Sequence, residues 1–168
     1  METESEQTQT KVGRYQLVER LAVGGMAEVY LACERAGPHS LQRLVVVKRI
    51  LPHLAEDKQF VAMFLHEAQV AAQINHPNVV QIFELGESGG YPFIAMEFVQ
   101  GSTLKELLRA AIEAEVRLPL DVVLYLITQA CAGAHAAHEL KDSKGRPSGL
   151  VHRDLSPHNL MGDAQAHV

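Results

Sequence analysis

HRDLSPHN, from His152 to Asn159, is the stretch whose reading decides the fold. In isolation a His-Arg-Asp triplet describes nothing more than a surface turn, so its meaning rests on what precedes it. The polar loop KDSKGRPSG, Lys141 to Gly149, leads into it, and LMGDAQAHV follows. In that tail Asp163 stands beside Gly162 and reads as a turn residue. Upstream, TLKELLRAAIEAE (103–115) and PLDVVLYLITQACAGAHAAHEL (119–140) have helical patterns. The second begins with Pro119, where a missing N–H does no harm. Val122, Val123, Leu124, Leu126 and Ile127 are nearly continuous, which predicts a helix belonging in an interior. Left exposed, such a stripe invites aggregation.

Residues 14–99 have another texture. YQLVERLAVGGMAEVYLA (15–32) alternates apolar and polar residues on either side of Gly24 and Gly25, which predicts strand, glycine turn, strand. LVVVKRI (44–50) is β-branched and suits a buried strand. Phe60, Phe64, Ala68 and Ala71 recur at helical spacing, which predicts a helix over about 56–74 with Glu56 and Asp57 at its positive end. NVVQIFELGESGGYPFIAMEFV then predicts a hairpin with Gly86 to Gly90 as its turn. Five short strands and one helix therefore fill this region, and MEFVQGS joins it to the helical part.

Composition sets the outer limits. A formal net charge of −5 supplies no excess of Lys and Arg for phosphate backbones and excludes nucleic acid as the main partner. Aromatics at 5% leave the core to Val, Leu, Ile and Ala. Cys33 and Cys131 have no metal-type spacing, and a disulfide framework is not expected in what reads as a cytoplasmic protein. METESEQTQTKVG is too polar for a signal peptide; residues 1–12 read as a disordered leader. No uninterrupted run of about 18 apolar residues predicts a membrane segment. His135, His138, His152 and His158 lack a carboxylate at zinc-enzyme spacing, and a metal cluster of histidines is not expected.

The order of the pieces decides more than any one of them. A glycine turn, a strand carrying Lys48, a helix carrying Glu67 nineteen residues on, a connecting strand and HRDLSPHN resemble the eukaryotic-like (Hanks-type) protein kinases, specifically the bacterial serine/threonine kinases. The resemblance runs from about Tyr15 to Val168 and includes HPNVV, His76 to Val80. It implies an α+β, two-lobe fold: a β-rich N-terminal lobe over 13–99 with one main helix, then a hinge exit and the first part of a helical lobe over 100–168. It further implies ATP and Mg²⁺ as cofactors and a protein hydroxyl as acceptor. Lys48 would hold the α- and β-phosphates and Glu67 would pair with Lys48. Asp154 would accept the acceptor's proton, Asn159 would hold Mg²⁺, and His152 and Arg153 would support the loop. Val23, Gly24, Gly25, Met26 and Ala27 would cover the phosphates. Met96 would be the gatekeeper and Val99 the backbone contact to adenine, with Leu21, Ala22, Val29, Val46, Glu97 and Met161 completing the nucleotide site.

The chain departs from that pattern in three places. The family's Gly-x-Gly-x-x-Gly becomes Ala22, Gly24 and Ala27, and Val46 replaces a small alanine, which predicts weaker nucleotide binding. Ser156 stands where these kinases usually carry a lysine toward the γ-phosphate, and His158 is the nearest candidate replacement. The family's Asp-Phe-Gly is expected beyond Val168, so the 168 residues read as part of a longer catalytic domain. The rival reading from another class is a pseudokinase-like scaffold that holds nucleotide or a partner without transferring phosphate.

Overall fold

The computed structural model describes residues 11–34, 42–141, 144–152 and 154–163. The chain divides into two compact units, 1–72 with 82–98 and 73–81 with 99–168. The segment around HPNVV thus groups with the second unit, although the sequence placed it in the first.

The first unit is an antiparallel sheet of β1 (Lys11–Val12), β2 (Tyr15–Val23), β3 (Ala27–Glu34), β4 (Arg43–Ile50), β5 (Ile82–Ser88) and β6 (Tyr91–Glu97). Its strand order is β1-β2-β3-β4-β6-β5. Lys11 and Val12, read from sequence as leader, pair with Gln16 and Tyr15, and Val12 is fully buried. A two-residue strand carries too little alternation to be seen in sequence. The β5–β6 hairpin turns more tightly than expected. Ser88 pairs with Tyr91, so only Gly89 and Gly90 form the loop, both with positive φ. That backbone matches the twist of the flanking strands and favours glycine.

Strand alternation divides the apolar residues between two faces. Val12, Tyr15, Ala32, Val45, Val47, Phe93 and Ala95 form one buried cluster, with the Tyr15 and Phe93 rings edge to face at 5.9 Å. The sheet curls round this cluster. The Tyr15 hydroxyl on β2 donates to Glu84 on β5 at 2.8 Å, and Arg14 reaches Glu84 at 2.9 Å and Glu34 at 3.2 Å. Burial, with the Glu84 carboxylate beside it, pushes the Tyr15 hydroxyl up to about 12.

The other face packs against α1 (Lys58–Ala71), whose Phe64 and Ala68 meet Ala27, Ile50 and Ile94. Asp57 caps this helix, its side chain accepting from the N–H groups of Gln59 and Phe60. The expected helix over 56–74 is therefore shorter at both ends.

The second unit holds β7 (Gly101–Thr103), α2 (Leu104–Glu113), α3 (Leu120–His138) and β8 (Met161–Asp163), with β7 and β8 paired antiparallel. α3 packs closely at Gly133 and Ala137, both buried, while Leu120, Leu124 and Ile127 are more than half exposed. By length and composition alone α3 could cross a membrane; one such helix is weak evidence. The segment 73–81 lies against it: Asn78 donates through its amide to Gln129 at 3.1 Å. A Cβ on Gly133 would fall 2.6 Å from the Asn78 carbonyl oxygen, so only glycine lets that backbone approach.

Candidate active site

Each unit carries its own half of the residues singled out by sequence. In the first, β3, β4 and β6 bring several of them onto one face of the sheet. Val29 pairs with Lys48, Lys48 with Ile94, and Val46 with Met96. With Ala22 opposite Val29 and Ala27 opposite Ile50, these residues share the face that α1 covers in part.

The turn between β2 and β3 is tight, since the Gly24 N–H donates to the Ala27 carbonyl at 2.8 Å. A Cβ on Gly25 would meet nothing within 4 Å, and Leu21 through Met26 are all exposed. The loop therefore lies open along its length. Ala27 behaves differently. It is buried beside Ile50 and Phe64, so the methyl group that distinguishes it from glycine fills core rather than the loop's open side.

Lys48 is half-buried, with its ammonium 5.8 Å above the centre of the Phe64 ring, within cation–π range. Among the described residues no ion pair joins Lys48 to Glu67, and Glu67 is exposed on α1. The pairing implied by the resemblance is thus not made in this structure. Glu97 ends β6 in an exposed position.

A second charged group sits on the sheet's opposite face. Glu28 accepts from Arg49 and from the Tyr30 hydroxyl, each at 3.0 Å. Burial works to raise the Glu28 carboxyl, but those two hydrogen bonds outweigh it and hold it below the ordinary carboxylate value.

In the second unit the catalytic-loop residues form one knot. Asn159 donates from its amide to the Asp154 carbonyl at 3.0 Å and to the Asp154 carboxylate at 2.7 Å. The Asn159 N–H closes a turn onto the Ser156 carbonyl at 2.9 Å, and His152 Nδ1 accepts from the Asp154 N–H at 3.3 Å. Arg153 lies outside the described residues.

The loop is held from below by α2. A helix leaves its first N–H groups without intrahelical partners. Here Lys105 gives its N–H to the Pro157 carbonyl at 2.9 Å and Leu104 gives its own to Leu160 at 2.8 Å. Thr103 and Glu106 complete the start of the helix as a reciprocal capping box. Its signature, TLKE at 103–106, is present in the sequence, but nothing local to it says that this helix start supports the loop. The β7–β8 pair adds the Met161–Thr103 and Asp163–Gly101 registers, which places Met161 directly after the loop. Before α2 the Val99 carbonyl accepts from Gly101 N–H at 3.0 Å.

The oxygens of Asp154 and Asn159 are of the kind that suits a hard cation. Mg²⁺ takes oxygen ligands and keeps several from water and phosphate. The Asn159 amide, whose nitrogen is engaged by Asp154, has its oxygen as the group to offer. Among the described residues no cluster of three or more His, Cys, Asp or Glu side chains forms a closed metal cage.

Residues 15–168 match the protein kinase domain. The chain belongs to the protein kinase family. It is 46% identical over 156 residues to the tyrosine-protein kinase MasK of Myxococcus xanthus, covering 93% of this chain and 24% of that one. It is 36% identical to the serine/threonine-protein kinase PrkC of Bacillus subtilis, covering 93% and 22%. Among solved structures, the PknI kinase domain of Mycobacterium tuberculosis superposes with a TM-score of 0.69 at 29% identity, over 92% of this chain and 56% of that one. The chain thus spans about a quarter of the length of these curated relatives.

Proposed function

We propose that the protein transfers the γ-phosphoryl group of MgATP to a serine or threonine hydroxyl of a protein substrate. The Asp154–Asn159 knot carries this reading: a carboxylate oriented by an amide, on a loop fixed to a helix start, has the arrangement a proton acceptor needs. The Asp154 carboxylate takes the proton of the acceptor hydroxyl as its oxygen bonds to the γ-phosphorus and the bond to ADP breaks. Lys48 would steady the α- and β-phosphates under the open loop of residues 23–27, and the Asn159 oxygen would hold the metal. When bound there, Mg²⁺ would supply neutralisation of the phosphate charge.

The choice of serine or threonine is supported by the family resemblance and by relatives such as PrkC, whose name states it. The name of MasK states tyrosine. Both questions fall to one experiment on the full-length protein with radiolabelled ATP and a general protein acceptor. The wild type is expected to yield phosphoserine or phosphothreonine, and Asp154→Asn to lower the rate at least about 10²-fold. Phosphotyrosine alone would overturn the acceptor assignment, and an undiminished Asp154→Asn rate would overturn the role of Asp154.

A further inference from the structure

On the face of the sheet turned away from Lys48, side chains from three strands meet at the root of the glycine turn. Glu28 on β3 stands directly opposite Arg49 on β4, next to the Val29–Lys48 pair in the same ladder. Arg49 and the Tyr30 hydroxyl each donate to the Glu28 carboxylate at 3.0 Å, and Arg20 on β2 brings a second cation to 3.9 Å. The Arg49 guanidinium also lies 5.5 Å from the centre of the Tyr30 ring. The Glu28 and Arg49 side chains keep only 15% and 14% of their surface exposed, so salt and water screen the pair little.

The need for such a brace lies in β2. Two register shifts, between Leu17 and Glu19 and between Arg20 and Ala22, interrupt its ladder to β3 just before the turn. A shift of this kind leaves a residue unpaired and bends the strand. On the other side the turn is held by backbone, since Leu51, after β4, gives its N–H to the Met26 carbonyl at 3.0 Å. Arg20 lies between the two shifts, and with Arg49 it draws β2, β3 and β4 onto one carboxylate.

We infer that Glu28, with Arg49 and Tyr30, is a positioning residue for nucleotide binding: from the far face of the sheet it sets the place of residues 23–27 relative to the Lys48 ammonium. The inference rests on the kinase reading, in which that turn and Lys48 hold the phosphates of one ATP. Glu28 itself touches no substrate. It acts through its neighbours, since Ala27 closes the turn and Arg49 follows Lys48 on its strand. Strand alternation puts the brace and the phosphate-holding side chains on opposite sides of the same two strands. A brace of this kind affects ground state and transition state alike, so its loss appears in KM rather than in kcat.

The test uses the full-length protein and a fluorescent N-methylanthraniloyl ATP with Mg²⁺, its binding read well below the melting temperature. Glu28→Gln and Arg49→Met should each weaken binding on the order of fivefold, the scale on which residues without ligand contact shift a site. The double variant should bind no more weakly than the poorer single one, because both substitutions remove the same pair. Arg49→Lys, which keeps the charge, should recover most of the affinity. Tyr15→Phe is the structural control: it loses the bond to Glu84 at the other end of β2 and should lower the melting temperature without moving the affinity. Wild-type affinity in Glu28→Gln and Arg49→Met, or a loss no larger than that of Tyr15→Phe, overturns the proposal. Phosphate transfer is read separately, where Glu28→Gln should raise the KM for ATP at unchanged kcat. A wild type whose nucleotide binding depends on Glu28 in this way yet transfers nothing would overturn the kinase reading while leaving the positioning role established. A wild type that binds no nucleotide would overturn both.

Discussion

Asn159 holds Asp154 at two points, through the carbonyl oxygen and through the carboxylate, so one amide fixes both the turn and the orientation of the acid. Preorganisation of this kind lowers a barrier without changing how tightly the ground state binds.

Asn159→Ala is therefore expected to lower kcat by about 10²–10³ while leaving the KM for peptide within a few-fold. The residue is exposed, so the melting temperature should move little. Steady-state kinetics beside a thermal melt decide the matter. A large loss of stability would make Asn159 a structural residue first.

Ser156 offers its carbonyl to Asn159 and only a neutral hydroxyl beyond that. A lysine there would add a positive charge three residues from Asn159, where the proposed reaction develops charge on the γ-phosphate. Ser156→Lys is expected to raise kcat by about 10², the reverse of losing one preorganised stabiliser. The backbone turn is made by main-chain atoms, so the substitution should leave it intact. An unchanged or lower rate would show that another cation already fills that role.

Gly133 marks where α3 and the 73–81 segment touch. Gly133→Ala forces a methyl group against the Asn78 carbonyl, and backbone cannot retreat as a flexible side chain can. The expected cost is about 1–3 kcal/mol by overpacking, read as a lower denaturation midpoint at unchanged slope. Gly25→Ala, with open space round its Cβ, is the control and should cost under about 1 kcal/mol.

Some of this was legible in the sequence and some was not, for physical reasons. Long periodic elements were plain: α1, α3 and the strand carrying Lys48 fall close to where alternation and helical spacing put them. The loop of residues 152–159 was legible as a unit because its residues stand at fixed short spacing, and the structure joins Asp154 to Asn159. Contacts between distant segments were not. Nothing in RYQ (14–16) announces that Arg14 and Tyr15 will meet Glu84, because that contact exists only once the sheet curls. The assignment of residues 73–81 to the second unit was hidden for the same reason: local pattern says nothing about which neighbour a connecting segment will choose. The Lys48–Glu67 pair was inferred from resemblance, and this structure instead sets Lys48 over Phe64. A long cationic side chain on a half-buried strand has more than one partner within reach.

The Glu28–Arg49 pair supplies a pH-dependent prediction. Both side chains are largely shielded from solvent, and Tyr30 and the more distant Arg20 face the same carboxylate. Because folding holds Glu28 below its ordinary value of 4.5, the unfolded chain binds a proton there first as pH falls. The stabilisation is therefore complete above about pH 5 and drains away as acid titrates the folded carboxylate. Glu28→Gln should cost about 1.5 kcal/mol at pH 7, the size of a hydrogen-bonded charge pair that loses one charge. The gap between wild type and variant should then close steadily as the pH is taken below 4.5, in urea unfolding followed by circular dichroism. A gap that stays constant from pH 7 to pH 3 would mean that Glu28 stabilises the sheet by packing and neutral hydrogen bonding rather than by its charge.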